Sequence, residues 1–239
     1  MTAAVPARGS TPRLAGLRPA ADILDRARAK YAALKSYSDT GTVTTEYKGG
    51  NDPGPSSVER HTFSTYYRAP RQFFFDFVKD PKVGDERFVI WADGSDFYTW
   101  WSATKVREDY PKGQGGTAFA VATFPTHGSL MQISPLLFAG GGLHGPIVDL
   151  KVLKSDELEE INKHRCYKFV GEVALAYGTG AVSSVVPTTV WIDADSLLVR
   201  RILEDTPKNA PGIDRTTTTF EPVADPKVDD AKFKFTPPQ

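Results

Sequence analysis

Between Arg60 and Trp101 the chain reads RHTFSTYYRAPRQFFFDFVKDPKVGDERFVIWADGSDFYTWW, and this stretch limits its fold most tightly. Aromatic and β-branched runs are broken at Arg68-Ala69-Pro70, Asp80-Pro81, Gly84 and Asp93-Gly94. Such runs, bounded by Gly, Pro and Asp, predict short consecutive strands joined by tight turns. Four strands are expected, over Val58–Tyr67, Arg71–Val78, Arg87–Ala92 and Asp96–Ser102. Phe73, Phe75 and Phe77 share one parity and Phe74 has the other; Phe97 and Trp101 oppose Tyr98 and Trp100. A sheet that is apolar on both faces must be covered on both.

With 239 residues, the chain has room for one large domain or two small ones. Its 29 Lys and Arg balance 29 Asp and Glu, which argues against duplex nucleic acid as a partner. Arg8, Arg13 and Arg18 are scattered among Pro, Ala and Gly, so residues 1–19 are expected to form a disordered tail. A single cysteine, Cys166, excludes an intramolecular disulfide and reads as a small buried hydrophobe. No stretch reaches the roughly 18 apolar residues of a membrane helix. Met1–Pro19 lacks a charged start followed by an apolar run, so the expectation is either a cytoplasmic protein or an exported one whose signal has been removed.

Beyond the tail, Ile23, Ala27, Tyr31 and Leu34 recur at the helical period and predict a helix over Ala20–Lys35, with Pro19 suited to its start. Ser38–Lys48 alternates as a first strand, and Gly49–Pro55 is a turn cluster. A short strand near Thr104–Glu108 closes the aromatic block. Thr117–Ala122 and Ser129–Phe138 then predict two short apolar helices, Ser129 capping the second, and Gly140–Gly145 breaks the chain. Inserted in a succession of strands, such helices would serve as a lid. Further strands are expected over Ile147–Lys154, Leu158–Lys163, Arg165–Val173, Thr188–Ile192, Leu197–Leu203, Arg215–Phe220 and Ala231–Phe235. Asp193–Ser196 reads as a hairpin turn. With no repeat and no linker, residues 20–239 read as one domain built on a strongly curved antiparallel sheet.

Motifs of known chemistry fare poorly. Gly140, Gly142 and Gly145 match G-x-G-x-x-G, but Pro146 follows where a helix is needed. Ser102 and Lys105 match S-x-x-K in a stretch that reads as extended, which sends their side chains apart. His164 and Cys166 share a strand face but are only two ligands, and His61, His127 and His144 have no ligand-like spacing. Asp156, Glu157, Glu159 and Glu160 read as a solvated turn; of Arg200 and Arg201, alternation lets only one face inward. No metal, no cofactor and no catalytic residue is expected.

Several short stretches, taken in order, resemble the outer-membrane lipoprotein-sorting (LolA-like) family of bacterial periplasmic proteins, and more closely an uncharacterised branch of it. They are Tyr37–Gly41 after the opening helix, Phe63–Phe73 with its Arg68-Ala69-Pro70-Arg71-Gln72-Phe73 junction, Ala92-Asp93-Gly94 before Phe97–Trp100, Pro135–Phe138, Val190–Asp193 through Leu198, and Phe233–Pro238. The resemblance spans most of the chain from Ala20 onward. It implies a half-open antiparallel β-barrel capped by helices, of α+β class, whose apolar cavity holds acyl chains. It also implies a periplasmic location and a strand arginine that latches the lid. Arg68 is the nearest match to that arginine, although Ala69 separates it from Pro70.

The function expected from these readings is a non-enzymatic carrier or sensor of a hydrophobic ligand: an acyl chain, a lipid or a lipoprotein. Phe73, Phe75, Phe77, Trp91, Trp101 and Trp191 would line the sheet, and Leu136, Leu137 and Phe138 the lid, with Gly140–Gly142 as a hinge. The protein is expected to be a monomer, not transmembrane, with an envelope protein as a further partner. Two other readings stay open: a structural or protein-interaction module with a filled core, and a hydrolase, which would need a His within reach of a Ser or Cys and an acid.

Overall fold

The computed structural model describes residues 20–48, 55–80, 86–176, 182–206 and 213–238. The tail expected over residues 1–19, residues 81–85 and most of the turn cluster expected over 49–55 lie outside these residues. After α1 (Ala20–Ala32) the chain runs as a meander through β1 (Ser36–Lys48), β2 (Pro55–Arg68), β3 (Gln72–Lys79), β4 (Arg87–Asp93), β5 (Phe97–Trp101) and β6 (Val106–Tyr110). Two helices follow, α2 (Gly115–Thr123) and α3 (Leu130–Leu137). A second meander comprises β7 (Lys151–Ile161), β8 (His164–Ala176), β9 (Val182–Asp193), β10 (Val199–Asp205) and β11 (Ile213–Phe220), with the short β12 (Val223–Ala224) after it.

All strands join one antiparallel 12-stranded sheet in the order β6-β5-β4-β3-β2-β1-β11-β10-β9-β8-β7, with β12 beside β1. The meanders are stitched together where β11 returns along β1, with Gly41 opposite Phe220 and Val43 opposite Thr218. β6 and β7 remain edges, so the sheet is an open half-barrel. All three α-helices contribute to the core on its inner face.

Local chemistry fixes the turns. Asp93 accepts hydrogen bonds from the Ser95 backbone N–H and hydroxyl at the β4–β5 hairpin, where Gly94 has φ of 117°. Asp193 does the same for the N–H groups of Asp195 and Ser196 between β9 and β10. Asn162 and Lys163, with φ of 49° and 68°, make the two-residue turn between β7 and β8.

Three expectations of strand layout are corrected. The strands expected over Ile147–Lys154 and Leu158–Lys163 are one edge strand, β7, with register shifts at Val152/Lys154 and Asp156/Glu159. Its acidic run is therefore bulged strand and not a solvated turn; bulges and charges are common at exposed sheet edges. Val199/Arg201 carries another register shift. Arg200 and Arg201 consequently both face outward, Arg200 pairing with Asp193 at 3.1 Å and Arg201 lying over Trp191.

The third concerns Ala231–Phe235, which is not a strand. Residues Asp230–Phe233 form a turn of 3-10 helix, and the tail crosses the outer face of β3–β5. Phe233 and Phe235 pack there with Phe74, Val89, Trp91 and Trp100. This tail covers the apolar convex side of the aromatic block. Asp225 anchors its start by accepting from the backbone N–H groups of Lys35 and Ser36.

Candidate functional site

Strand alternation sends His61, Phe63, Thr65 and Tyr67 of β2 into the hollow, with Phe73, Phe75 and Phe77 of β3 and Phe88 and Ile90 of β4. α2 and α3 cross this hollow as a helical hairpin. At one end Tyr67, Phe73, Phe97, Phe119 and Phe138 form a ring cluster with neighbouring centroids 5.3–5.8 Å apart. Such edge-on aromatic packing anchors the open ends of the hairpin. In the middle, α3 fills the hollow. Its Gln132 donates to Glu204 of β10 at 2.8 Å, and burial raises the pKa of that carboxyl.

At the other end the filling stops. A cavity of about 650 Å³ lies between the hairpin tip and the strand ends, walled by Phe77, Phe88, Trp101, Phe124 and Ile213. Internal bonds hold the tip: the Thr126 hydroxyl donates to Ala122 O, and the Ser129 hydroxyl donates back to Thr126 O at 2.7 Å. Ser129 therefore stands at the start of α3 without capping it by its side chain, since its hydroxyl is already engaged upstream. Phe124 is 83% exposed at the tip.

Glu59, His61 and His127 also line this cavity. His61 is 1% exposed and sits between two rings, 5.1 Å from Phe77 and 4.5 Å from His127 by centroid. Neither ring nitrogen of His61 has a hydrogen-bond partner. A buried polar group left so costs about 1–3 kcal/mol. Burial, with a smaller contribution from His127, pushes the His61 pKa down to about 4; burial likewise lowers that of His127. Both imidazoles are neutral at pH 7. Glu59 Oε2 lies 3.6 Å from His61 Nε2 and accepts from the Tyr47 hydroxyl at 3.0 Å. Nearby, Glu86 accepts from Trp101 Nε1 at 2.7 Å and pairs with Lys79.

Of the residues expected to line a cavity, Phe77 and Trp101 do so. Phe73, Phe75, Leu136, Leu137 and Phe138 face the hollow but are packed into its core. Trp91 and Trp191 are corrections: each has the outward parity of its strand. Trp91 meets Phe235 edge-on at 5.1 Å on the convex face. Trp191 packs with Ile161 and Cys166 and donates to Glu159 at 3.0 Å. Arg68 is a third correction. Its neighbour Tyr67 points inward, so Arg68 points outward, bonding Gln72 at 2.6 Å, pairing with Asp230 and lying over Phe233. It latches the C-terminal tail and not the lid.

The weighed motifs find structural roles. Ser102 and Lys105 are in the β5–β6 turn, not an extended run, and the Ser102 hydroxyl accepts from the Arg87 N–H at 2.8 Å. No helix follows Gly145. His164 does pair with Asp193 at 2.9 Å beside Cys166, but that thiol is buried, and burial and the Asp193 charge push its pKa up to about 11. A buried thiol held protonated is a poor nucleophile. Sequence spacing missed the His61–His127 pair because only the folded hairpin brings the two together. Its one legible trace was His61 standing on the inward parity of an aromatic strand.

No protein-family model and no curated protein matches this sequence. Among solved structures, the chain is similar to the lipoprotein LppX of Mycobacterium tuberculosis, at 16% identity over 88% of this chain and 99% of that one, TM-score 0.47. It is similar to LprF of Mycobacterium bovis, at 12% identity over 91% and 95%, TM-score 0.42. A LolA superfamily protein of Nitrosomonas europaea is similar at 8% identity over 92% and 99%, TM-score 0.40. At these identities and TM-scores the likeness says nothing of family or ligand. Among the described residues no helix is long and apolar enough to cross a membrane.

Proposed function

We propose that this protein is a non-enzymatic, exported carrier that shelters an acyl chain of a lipid or lipoprotein between the half-barrel and the tip of its helical hairpin. The observation that carries the reading is the cavity of about 650 Å³ walled by Phe77, Phe88, Trp101, Phe124 and Ile213. Its volume falls within the ~300–1,000 Å³ of small-molecule sites. The aromatic walls suit a hydrocarbon chain, and the polar end around Lys79, Glu86 and the histidines suits a head group. A longer ligand would lift α3, turning about Gly140 and Gly142, whose φ of 85° and 69° already lie in the left-handed region. That motion would bring Phe73, Phe75, Leu136, Leu137 and Phe138 from core packing into ligand contact.

Tryptophan emission tests this. Of the four tryptophans only Trp101 lines the cavity. Titrating dodecanoate or a lauroyl lysophospholipid below its micellar concentration is expected to give a saturable change that Trp101→Phe removes. An unsaturable response, or one that survives Trp101→Phe, refutes the carrier reading.

A second reading has its own observation. Phe124 stands almost bare on the tip, with Val121 at 45% exposure one turn before it on α2. In an interaction module this tip would dock a partner protein, and Phe124→Ser would abolish partner capture while leaving lipid titrations flat.

A further inference from the structure

We propose that Glu59, His61 and His127 form a binding site for a divalent transition-metal ion of the zinc class, which would clasp the hairpin tip to β2. One ligand atom from each residue lies within 4.8 Å of the others. Two imidazoles and a carboxylate are a recurrent three-ligand set for such ions, leaving a fourth position for water. Metal–ligand bonds of about 2.0–2.2 Å place ligand atoms roughly 3.4 Å apart in a tetrahedron. The Glu59–His61 separation of 3.6 Å is already near that value, so the closing movement falls to His127.

The alternative is that the adjacent rings of Phe77, His61 and His127 are simple core packing. Three features weigh against it. His61 is buried with both ring nitrogens unpartnered, which packing leaves unexplained and a metal bond would satisfy. His127 holds φ of 50° at the tip, a conformation few non-glycine residues adopt. Tyr47 donates to Glu59 Oε2, the kind of outer hydrogen bond that orients a carboxylate ligand. Charge also favours a cation: Lys79 is paired with Glu86, which leaves Glu59 as the uncompensated charge among these groups.

The test is titration of the full chain with Co2+, read by visible d–d absorption, and with Zn2+ by calorimetry and competition. One ion per chain is expected, with the intense bands of a four- or five-coordinate site. Glu59→Gln and His127→Ala, both at part-exposed positions, are expected to weaken binding at least tenfold while metal-free circular dichroism stays unchanged. His61→Asn should abolish the bands, and Tyr47→Phe should weaken binding by about tenfold. His144→Asn and His164→Asn should change nothing. Absence of stoichiometric Co2+ binding overturns the proposal, as does binding that survives His127→Ala and Glu59→Gln together or is lost with His164→Asn. Each readout is of the metal itself, so the outcome is independent of whether the cavity takes a lipid.

Discussion

Asp39 should make stability depend on pH in a way that a single substitution isolates. It sits on the inner face of β1, 3% exposed, beneath α3. Burial drives its pKa up to about 6 from an ordinary 3.8, although hydrogen bonds from Thr65 and Tyr37 pull the other way. The Tyr37 hydroxyl donates to it at 2.7 Å. Because the folded value lies above the unfolded one, the native state holds the proton more tightly. Stability is then lost as pH rises from about 3.8 to about 6, and above that the loss is complete. The difference between those values amounts to about 3 kcal/mol. The raw pH profile will hide it. His61 and His127, whose pKa values are lowered, cost stability as pH falls through 6.5, the opposite sign over an overlapping window. Comparing Asp39→Asn with wild type cancels the histidines, since the asparagine carbonyl still accepts from Tyr37. In urea unfolding, the stability of Asp39→Asn relative to wild type should grow by about 2.4 kcal/mol between pH 4 and pH 7. A difference that stays flat, or that grows toward acid, would refute the assignment of a buried ionisable carboxyl under α3.

Other expectations follow from packing. A Cβ on Gly41 would lie 2.2 Å from the Phe63 ring and 2.3 Å from Thr219 O, so Gly41→Ala should lower stability by about 3 kcal/mol, at the upper end of overpacking costs, read as a drop in urea midpoint. Phe233→Ala empties the joint between the tail and the convex face and should cost about 3–5 kcal/mol, with a red shift of tryptophan emission as Trp91 and Trp100 are uncovered. Cys166, buried with its pKa pushed up to about 11, should react with a thiol reagent only as fast as the protein unfolds.

The aromatic block was legible in the sequence because its strands are short, strongly alternating and bounded by turn residues. The ends of β3, β4 and β5 fall within a residue of the expected bounds, and the start of β2 within three. The need to cover both faces was legible too, but not the cover itself. AKFKF alternates like a strand, yet it lies across the sheet and uses the same Phe233 and Phe235 to cover its convex face. Parity was carried wrongly to Trp91 and Trp191, since hydrophobic bulk alone does not distinguish a hollow from a covered convex face. Arg68 follows the same logic: once Tyr67 is inside, it must be outside. The cavity needed the fold most. Residues expected to surround it, such as Phe73 and Phe138, are spent on anchoring the hairpin, and the open volume lies at the end where His61 and His127 meet.

Amide and methyl chemical-shift mapping with saturating dodecanoate shows whether the pouch at the hairpin tip receives a hydrocarbon chain. Perturbations are predicted to cluster on Phe77, Phe88, Trp101, Ile213, Thr123, Phe124, His127 and Gly128, groups that wall the cavity. Shifts scattered over the convex face and the C-terminal tail, or none at saturation, would contradict it.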